Sequence, residues 1–402
     1  MSDSEHGFEV QFRFPVYFTR GAWDPANAAF VDAIRRREPG RRHRALVVVD
    51  DHVARAQPAL LGQIREYCAA YDQFLELVAE PVLVPGGETA KNGFGHALTL
   101  LEKISEARID RQSFIVVIGG GAVLDMVSFA AAIAHRGIRI VRFPTTVLAQ
   151  GDSGIAVKNG INLFGKKNFI GSFVPAFAVI NDVLALETLS PRDKIAGLSE
   201  AVKVALLKDV DFLHFLEQHA DRIASDVELL AQVVRRSAEL HLAHICGNGD
   251  PFELGSARPL DFGHWAAHKL ESMTAYRIRH GEAVAIGMAL DLTYSVALGF
   301  LDGVSMERVF NVLEAMGLPL WDDALAEHDP NGEYTLIKGL EEFREHLGGQ
   351  LHITLLRAVG NSFEVTEMDE AVVAASIESL RHRATRSLVE KPPSSRAAAV
   401  TR

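Results

Sequence analysis

Residues 113–146, SFIVVIGGGAVLDMVSFAAAIAHRGIRIVRFPTT, carry the reading of the fold. An apolar β-branched run ends in Gly119–Gly121, the helical period of AVLDMVSFAAAIAHRG follows, and a second β-rich run, IRIVRFPTT, returns. Strand, glycine turn, helix and strand in this order form the unit of a parallel sheet. The glycine turn leaves backbone N–H groups at the start of a helix, where an anion such as a pyrophosphate binds well. The spacing is not GxGxxG, so a tight structural turn accounts for the same residues equally well. Asp50 ends the neighbouring run ALVVVD, a position from which a carboxylate accepts hydrogen bonds from ribose hydroxyls. Strands also end in Asp for turn reasons alone.

Outward from this unit, ALVVVDD at 45–51 and FLELVAEPVLVPGG at 74–87 add further strands, with helices between them. After about residue 190 the β-rich runs give way to helical spacing in LSPRDKIAGLSEAVKVALLKD, ELLAQVVRRSAELHLAHICG, HWAAHKLESM and GEAVAIGMALDLTYSVALGF. The expected architecture is an α/β N-terminal nucleotide-binding domain with a parallel sheet over 1–190 and a mainly α-helical C-terminal metal-binding domain over 191–385. A disordered tail over 386–402 is expected after them. LHITLLRAVG at 351–360 reads as a late strand returning to a sheet, and RRREPGRRHR at 35–44 as a helix end and turn.

The 402 residues suffice for two domains, and 48% hydrophobic with 23% charged residues is ordinary globular composition. No apolar run approaches the length of about 20 residues that spans a bilayer. A formal charge of −11 argues against general nucleic-acid binding. The start MSDSEHGFEV has no signal-peptide pattern, and the two cysteines, Cys68 and Cys246, suit a reducing compartment, so a cytoplasmic protein is expected.

Two constellations point to chemistry. In GDSGIAVKNGINLFGKKN at 151–168, Asp152, Lys158, Lys166, Lys167 and Asn168 stand among glycines. The glycines let backbone approach a phosphate or nucleotide that the lysines grip, or else the segment is a solvated surface loop. In the second half, Glu200 and Lys203 lie three apart on one predicted helix face, and His264 and His268 lie four apart on another, with His280 after a short loop. One carboxylate and two imidazoles make a three-ligand site for a divalent ion and leave positions open for substrate oxygens. Taken alone, such histidines are also ordinary packing residues.

The segments PGGETAKN, GGGAVLD, HRGIRIVRFPTTVLAQGDSGIAVK, GKKNFIG, LSEAVK, DFGHWAAH and HGEAVAIGM occur in the order and spacing of the 3-dehydroquinate synthase family, the sugar-phosphate cyclases. The resemblance covers roughly residues 10–380. It implies that Asp50, Glu88, Lys91, Gly120, Gly121, Asp125, Thr145, Thr146 and Thr188 hold NAD, and that Asp152, Lys158, Lys167 and Asn168 serve cofactor and substrate together. It implies zinc, or cobalt, on Glu200, His264 and His280, with His268 near the transferring phosphate and Lys203 beside the reacting oxygen. His214, His219 and His241 match no functional position. The implied reaction oxidises a hydroxyl of a seven-carbon sugar phosphate transiently, expels phosphate, returns the hydride and closes a carbocycle. Arg136 matches the arginine that reaches the phosphate from the neighbouring subunit, so a homodimer is expected.

The chain departs from true 3-dehydroquinate synthases where they bind the substrate carboxylate. Their asparagine three residues before the first metal histidine is Asp261 here, the nearby arginine aligns with Arg258, and their upstream lysine falls on His244. A late phosphate-contacting lysine falls on His346. An aspartate in place of a neutral donor repels a carboxylate and accepts from a hydroxymethyl group. The expected substrate is therefore a neutral-headed ketose phosphate such as sedoheptulose 7-phosphate, as in the valiolone-synthase branch. Two further readings are a metal-dependent polyol dehydrogenase, which shares the two-domain plan but gives the lysines and Arg136 nothing to bind, and a non-catalytic binding protein that kept the fold.

Overall fold

Strands β2 (His43–Asp50) and β5 (Phe114–Gly119) are buried almost throughout, as parallel strands covered on both faces must be. They belong to the first of two units into which the chain divides, Met1–Thr188 and Leu189–Arg402. The computed structural model describes residues 6–247, 250–255 and 258–390.

In the first unit a seven-stranded parallel sheet runs β1 (Val16–Thr19), β9 (Ala178–Asp182), β6 (Arg139–Pro144), β5, β2 and β3 (Leu75–Leu77), with β4 (Val82–Val84) also pairing with β2. The stretch 74–87 is thus two short strands, one on the start and one on the end of β2, with Pro81, which cannot donate to a ladder, between them. Helices α1 (Ala29–Arg35), α2 (Asp51–Ala56), α3 (Leu60–Ala70), α4 (Gly95–Glu106) and α5 (Gly121–Ile133) connect the strands, and α6 (Val183–Glu187) follows β9.

The register positions the site. Val49 pairs with Ile118, Gly119 pairs with Pro144, and the Thr145 amide donates to the Gly119 carbonyl at 3.0 Å. Asp50, the three glycines, Thr145 and Thr146 therefore leave one sheet edge together, at the C-terminal ends of the strands, where ligands of such sheets bind.

Residues 149–173 are not a loop. A π-helical turn over Ala149–Ser153 leads into an antiparallel hairpin of β7 (Lys158–Leu163) and β8 (Lys166–Phe173). The glycines there serve the chain itself. A Cβ on Gly160 would lie 2.7 Å from the Ile170 carbonyl oxygen, and one on Gly154 would lie 2.5 Å from that of Ala149, while Gly165 supplies the turn at φ 72°.

The second unit is built on α7 (Pro191–Lys208) and α11 (His280–Ala297), both buried along most of their length. Ser190 caps α7 by accepting from the Asp193 amide, and Pro191 occupies its first turn. Around this pair lie α8 (Val210–His219), α9 (Val227–Gly247), α10 (His264–Met273), α12 (Gly303–Met316), α13 (Lys338–His346) and α14 (Glu370–Glu390).

Two expectations are corrected here. The late strand β10 (Ile353–Ala358) does not return to the parallel sheet but pairs with β11 (Asn361–Val365) in an antiparallel hairpin of this unit. The segment 386–390 is the last turn of α14 and not tail, and residues 391–402 lie outside the described residues. Among the described residues no helix is long and apolar enough to cross a membrane.

Candidate active site

Glu200 lies on α7, His264 opens α10 and His280 opens α11, and their ligand atoms come together. Glu200 Oε1 is 3.6 Å from His264 Nε2 and 3.9 Å from His280 Nε2. Two atoms bound to one zinc at about 2.1 Å each stand at most about 4.2 Å apart, so both distances admit a shared ion. Glu200 is 1% exposed and its Oε1 has no hydrogen-bond donor, a costly arrangement for a carboxylate unless a cation completes it.

His264 is held well below the usual histidine range by burial first and then by the Lys203 cation. Its Nδ1 lies 3.2 Å from the Phe262 carbonyl, and His280 Nδ1 lies 3.0 Å from Glu271 Oε2, so that in both rings Nε2 is left for a metal. Lys203 Nζ stands 2.5 Å from Glu200 Oε2, and His268 lies one turn along α10 with its ring centroid 6.2 Å from that of His280. Glu271 was not anticipated from the sequence. The signal was present, because it lies three residues after His268 and seven after His264 on the same helix face.

In the first unit, Asp50 is buried and burial raises its carboxyl above the usual range, while its Oδ1 accepts from the His52 amide at 2.8 Å. Gly86 passes so close that a Cβ there would lie 2.2 Å from Asp50 Oδ1, which is why the second position of PGGETAKN is glycine. Lys91, 2% exposed, pairs with Asp125 at 2.6 Å and so joins this segment to the first turns of α5. Glu88 accepts from Asn162 Nδ2 at 2.9 Å, and Asn162 Oδ1 accepts the amide of Asn168, which sits at φ 54° on β8. Asn162 thus ties the Glu88 segment to the hairpin that carries Lys158, Lys167 and Asn168. A cavity of about 370 Å³ at the ends of β5, β6 and β9 takes in Ile118, Thr145, Asp182 and Gln57, whose amide donates to Thr188 Oγ1 at 3.2 Å.

Arg142 was also missed. It is fully buried on β6, burial pushes its guanidinium down to about 10, and it donates to Ser128 Oγ, Gly154 O and Ala156 O at 3.0, 3.2 and 2.6 Å. It fixes the segment between Asp152 and Lys158. Arg136 is exposed just before β6, at the opposite end of a six-residue strand from Thr145, about 20 Å away.

At the remaining corner, Arg258 is 15% exposed and all three guanidinium nitrogens are engaged in their own loop. Nε faces Glu253 Oε2 at 3.2 Å, Nη1 donates to the Gly255 carbonyl at 2.6 Å and Nη2 to the Glu253 carbonyl at 3.2 Å. Asp261 accepts the His264 amide on its carbonyl and starts the turn into α10. His244 is half-buried in the last turn of α9, and the side chain of His346 lies outside the described residues.

Comparison with known proteins agrees over most of the chain. Family models described as 3-dehydroquinate synthase N-terminal and C-terminal match residues 81–196 and 197–338. A 3-dehydroquinate synthase of Cereibacter sphaeroides is 35% identical over 348 residues, covering 85% of this chain and 93% of that protein. A 2-epi-5-epi-valiolone synthase of Streptomyces glaucescens is also 35% identical, over 277 residues, 68% of this chain and 70% of that protein. Among solved structures, the 2-epi-5-epi-valiolone synthase ValA from Streptomyces hygroscopicus subsp. jinggangensis, with NAD+ and Zn2+ bound, superimposes with TM-score 0.83 at 26% identity, covering 94% of this chain and 100% of that one. Relatives of two activities stand at equal identity, so overall similarity does not choose the sugar, and local residues must.

Proposed function

Because the chain belongs to the 3-dehydroquinate synthase family, we propose that it is an NAD- and divalent-metal-dependent cyclase that turns a neutral-headed seven-carbon ketose phosphate into a carbocycle with release of phosphate. The observation that carries the choice of substrate is the tie between Arg258 and Glu253. A guanidinium already neutralised by a carboxylate and bonded to two carbonyls has no fork to offer a substrate carboxylate. Asp261, close by in sequence, puts a carboxylate where a neutral asparagine would suit a carboxylate substrate. Such a corner repels a second anion and accepts from a hydroxymethyl group.

A divalent ion on Glu200, His264 and His280 would polarise a substrate oxygen and NAD would take and return a hydride, which is the chemistry this reaction needs. The remaining work falls to side chains of the chain. Lys203, beside Glu200, holds positive charge where an alkoxide develops and favours loss of the hydroxyl proton. Lys158 and Asn168 on the hairpin, with Arg136 from a second copy, grip the phosphate. His268 presents a proton donor or acceptor near the leaving group. Arg142 and Asn162 keep the hairpin residues in place, so that the binding geometry is set before substrate arrives.

The test is a head-to-head assay of sedoheptulose 7-phosphate and the corresponding heptulosonate phosphate on wild type and Asp261→Asn. The ketose is expected to be preferred, and Asp261→Asn is expected to narrow the preference about tenfold or more, since one removed charge contact in a poorly solvated site changes discrimination by about 1–3 kcal/mol. Efficient turnover of the heptulosonate by wild type, with none of the ketose, overturns the reading and makes the protein a 3-dehydroquinate synthase proper.

A further inference from the structure

Asp291 lies on α11, three turns beyond His280, and is 0% exposed. Burial raises its carboxyl to about 7, against the two donors that it accepts. Oδ2 accepts the Gly263 amide at 2.9 Å and Oδ1 accepts the Trp265 indole N–H at 2.8 Å. Among the described residues it has no cationic partner. A buried carboxylate bonded only to two neutral donors is expensive to keep, and an apolar residue of similar size would fill the same space without that cost.

The two donors identify what the carboxylate does. Gly263 and Trp265 flank His264, and Gly263 takes φ 77° as the residue that starts α10. The carbonyl facing His264 Nδ1 belongs to Phe262, immediately upstream. The same turn is pressed onto α11, where a Cβ on Gly287 would lie 2.0 Å from the Gly263 carbonyl oxygen. The backbone amide of Gly263, the residue before His264, and the side chain of Trp265, the residue after it, are thus both bonded to one carboxylate, on the helix whose first residue is His280. A single rigid helix carries one imidazole at its N-terminus and anchors the turn that aims the other.

We propose that Asp291 is a positioning residue for the metal centre, fixing His264 relative to His280 so that both Nε2 atoms are held ready beside Glu200. This rests on the reading of Glu200, His264 and His280 as metal ligands.

The experiment measures the zinc dissociation constant by competition with a chromogenic chelator, together with the thermal midpoint with and without zinc. It uses wild type, Asp291→Asn and Trp265→Phe. Asp291→Asn keeps the volume but cannot accept both bonds, and Trp265→Phe keeps the aromatic packing while deleting one donor. Zinc affinity is expected to fall about 10–100-fold in Asp291→Asn and by a smaller factor in Trp265→Phe, with the zinc-dependent rise in midpoint shrinking in the same order. If both variants melt lower but bind zinc as tightly as wild type, Asp291 is a folding residue only and the proposal is overturned. If wild type itself binds no zinc or cobalt, the ligand reading has failed, a result separable from the first because it does not involve the variants.

Discussion

His280→Ala protein is expected to be isolated with little tightly bound zinc, and to turn over at least about a thousandfold more slowly than wild type. Removing one of three ligands leaves Glu200 and His264, too few to hold the ion against dilution. The Lewis acid contributes several kcal/mol of charge stabilisation in the transition state, and each 1.36 kcal/mol is a factor of ten. Metal analysis after gel filtration, alongside the rate of phosphate release, checks both parts. The fold should survive, since His280 is only partly buried at the first turn of α11 and the helix core lies beyond it. Zinc retained at wild-type stoichiometry would show that the assignment of His280 is wrong. Glu200→Gln should fail in the same way for a second reason. The amide has no negative charge to offer a cation, yet would leave Lys203 buried beside a neutral group.

The second large effect concerns Arg136. It stands at the opposite strand ends of its own sheet from the cofactor-binding ends, exposed and with both His135 and Arg136 at positive φ, and the proposal is that it serves the site of a second copy of the chain. Arg136→Ala is expected to lose about a hundredfold or more in rate, the range for removing one charged clamp on a transferring phosphoryl group. Arg136→Ala and His280→Ala proteins, each nearly inactive, should then complement when subunits are exchanged. A mixed dimer has one site with an intact metal set and an Arg136 supplied from across the interface. Random pairing at equal input restores about a quarter of wild-type activity. No recovery on subunit exchange, with mixed dimers demonstrated by mass spectrometry, would end the idea of a shared site.

Part of the candidate site was legible in the sequence: spacing placed residues on shared helix faces, and the family resemblance supplied their candidate roles. Glu200 and Lys203, His264 and His268, and the glycine turn after β5 are each fixed by helix or strand periodicity. The parallel sheet followed from 113–146 for the same reason. What was not legible depends on partners distant in sequence. Arg142 looked like one more strand residue, yet its value comes from carbonyls at 154 and 156, and Asp291 was not singled out because its donors, Gly263 and Trp265, lie at the start of α10. The tie of Arg258 to Glu253 was hidden because a loop without periodicity carries no pattern to read. In the lysine-bearing stretch, the internal backbone contacts that require Gly154 and Gly160 were likewise not legible. Strands β1 and β9 went unassigned because strands of four and five residues carry too few positions to separate them from loop.

The central claim is that this protein closes a ring without net oxidation, and one assay reaches it directly. Purified protein is incubated with NAD, zinc and sedoheptulose 7-phosphate while inorganic phosphate and the absorbance of NADH at 340 nm are followed in the same cuvette. Phosphate is expected to accumulate over many turnovers with no accumulation of NADH, because the hydride returns to the substrate in every cycle. NADH formed in step with substrate consumed would contradict the account and make the protein a polyol dehydrogenase on the same fold.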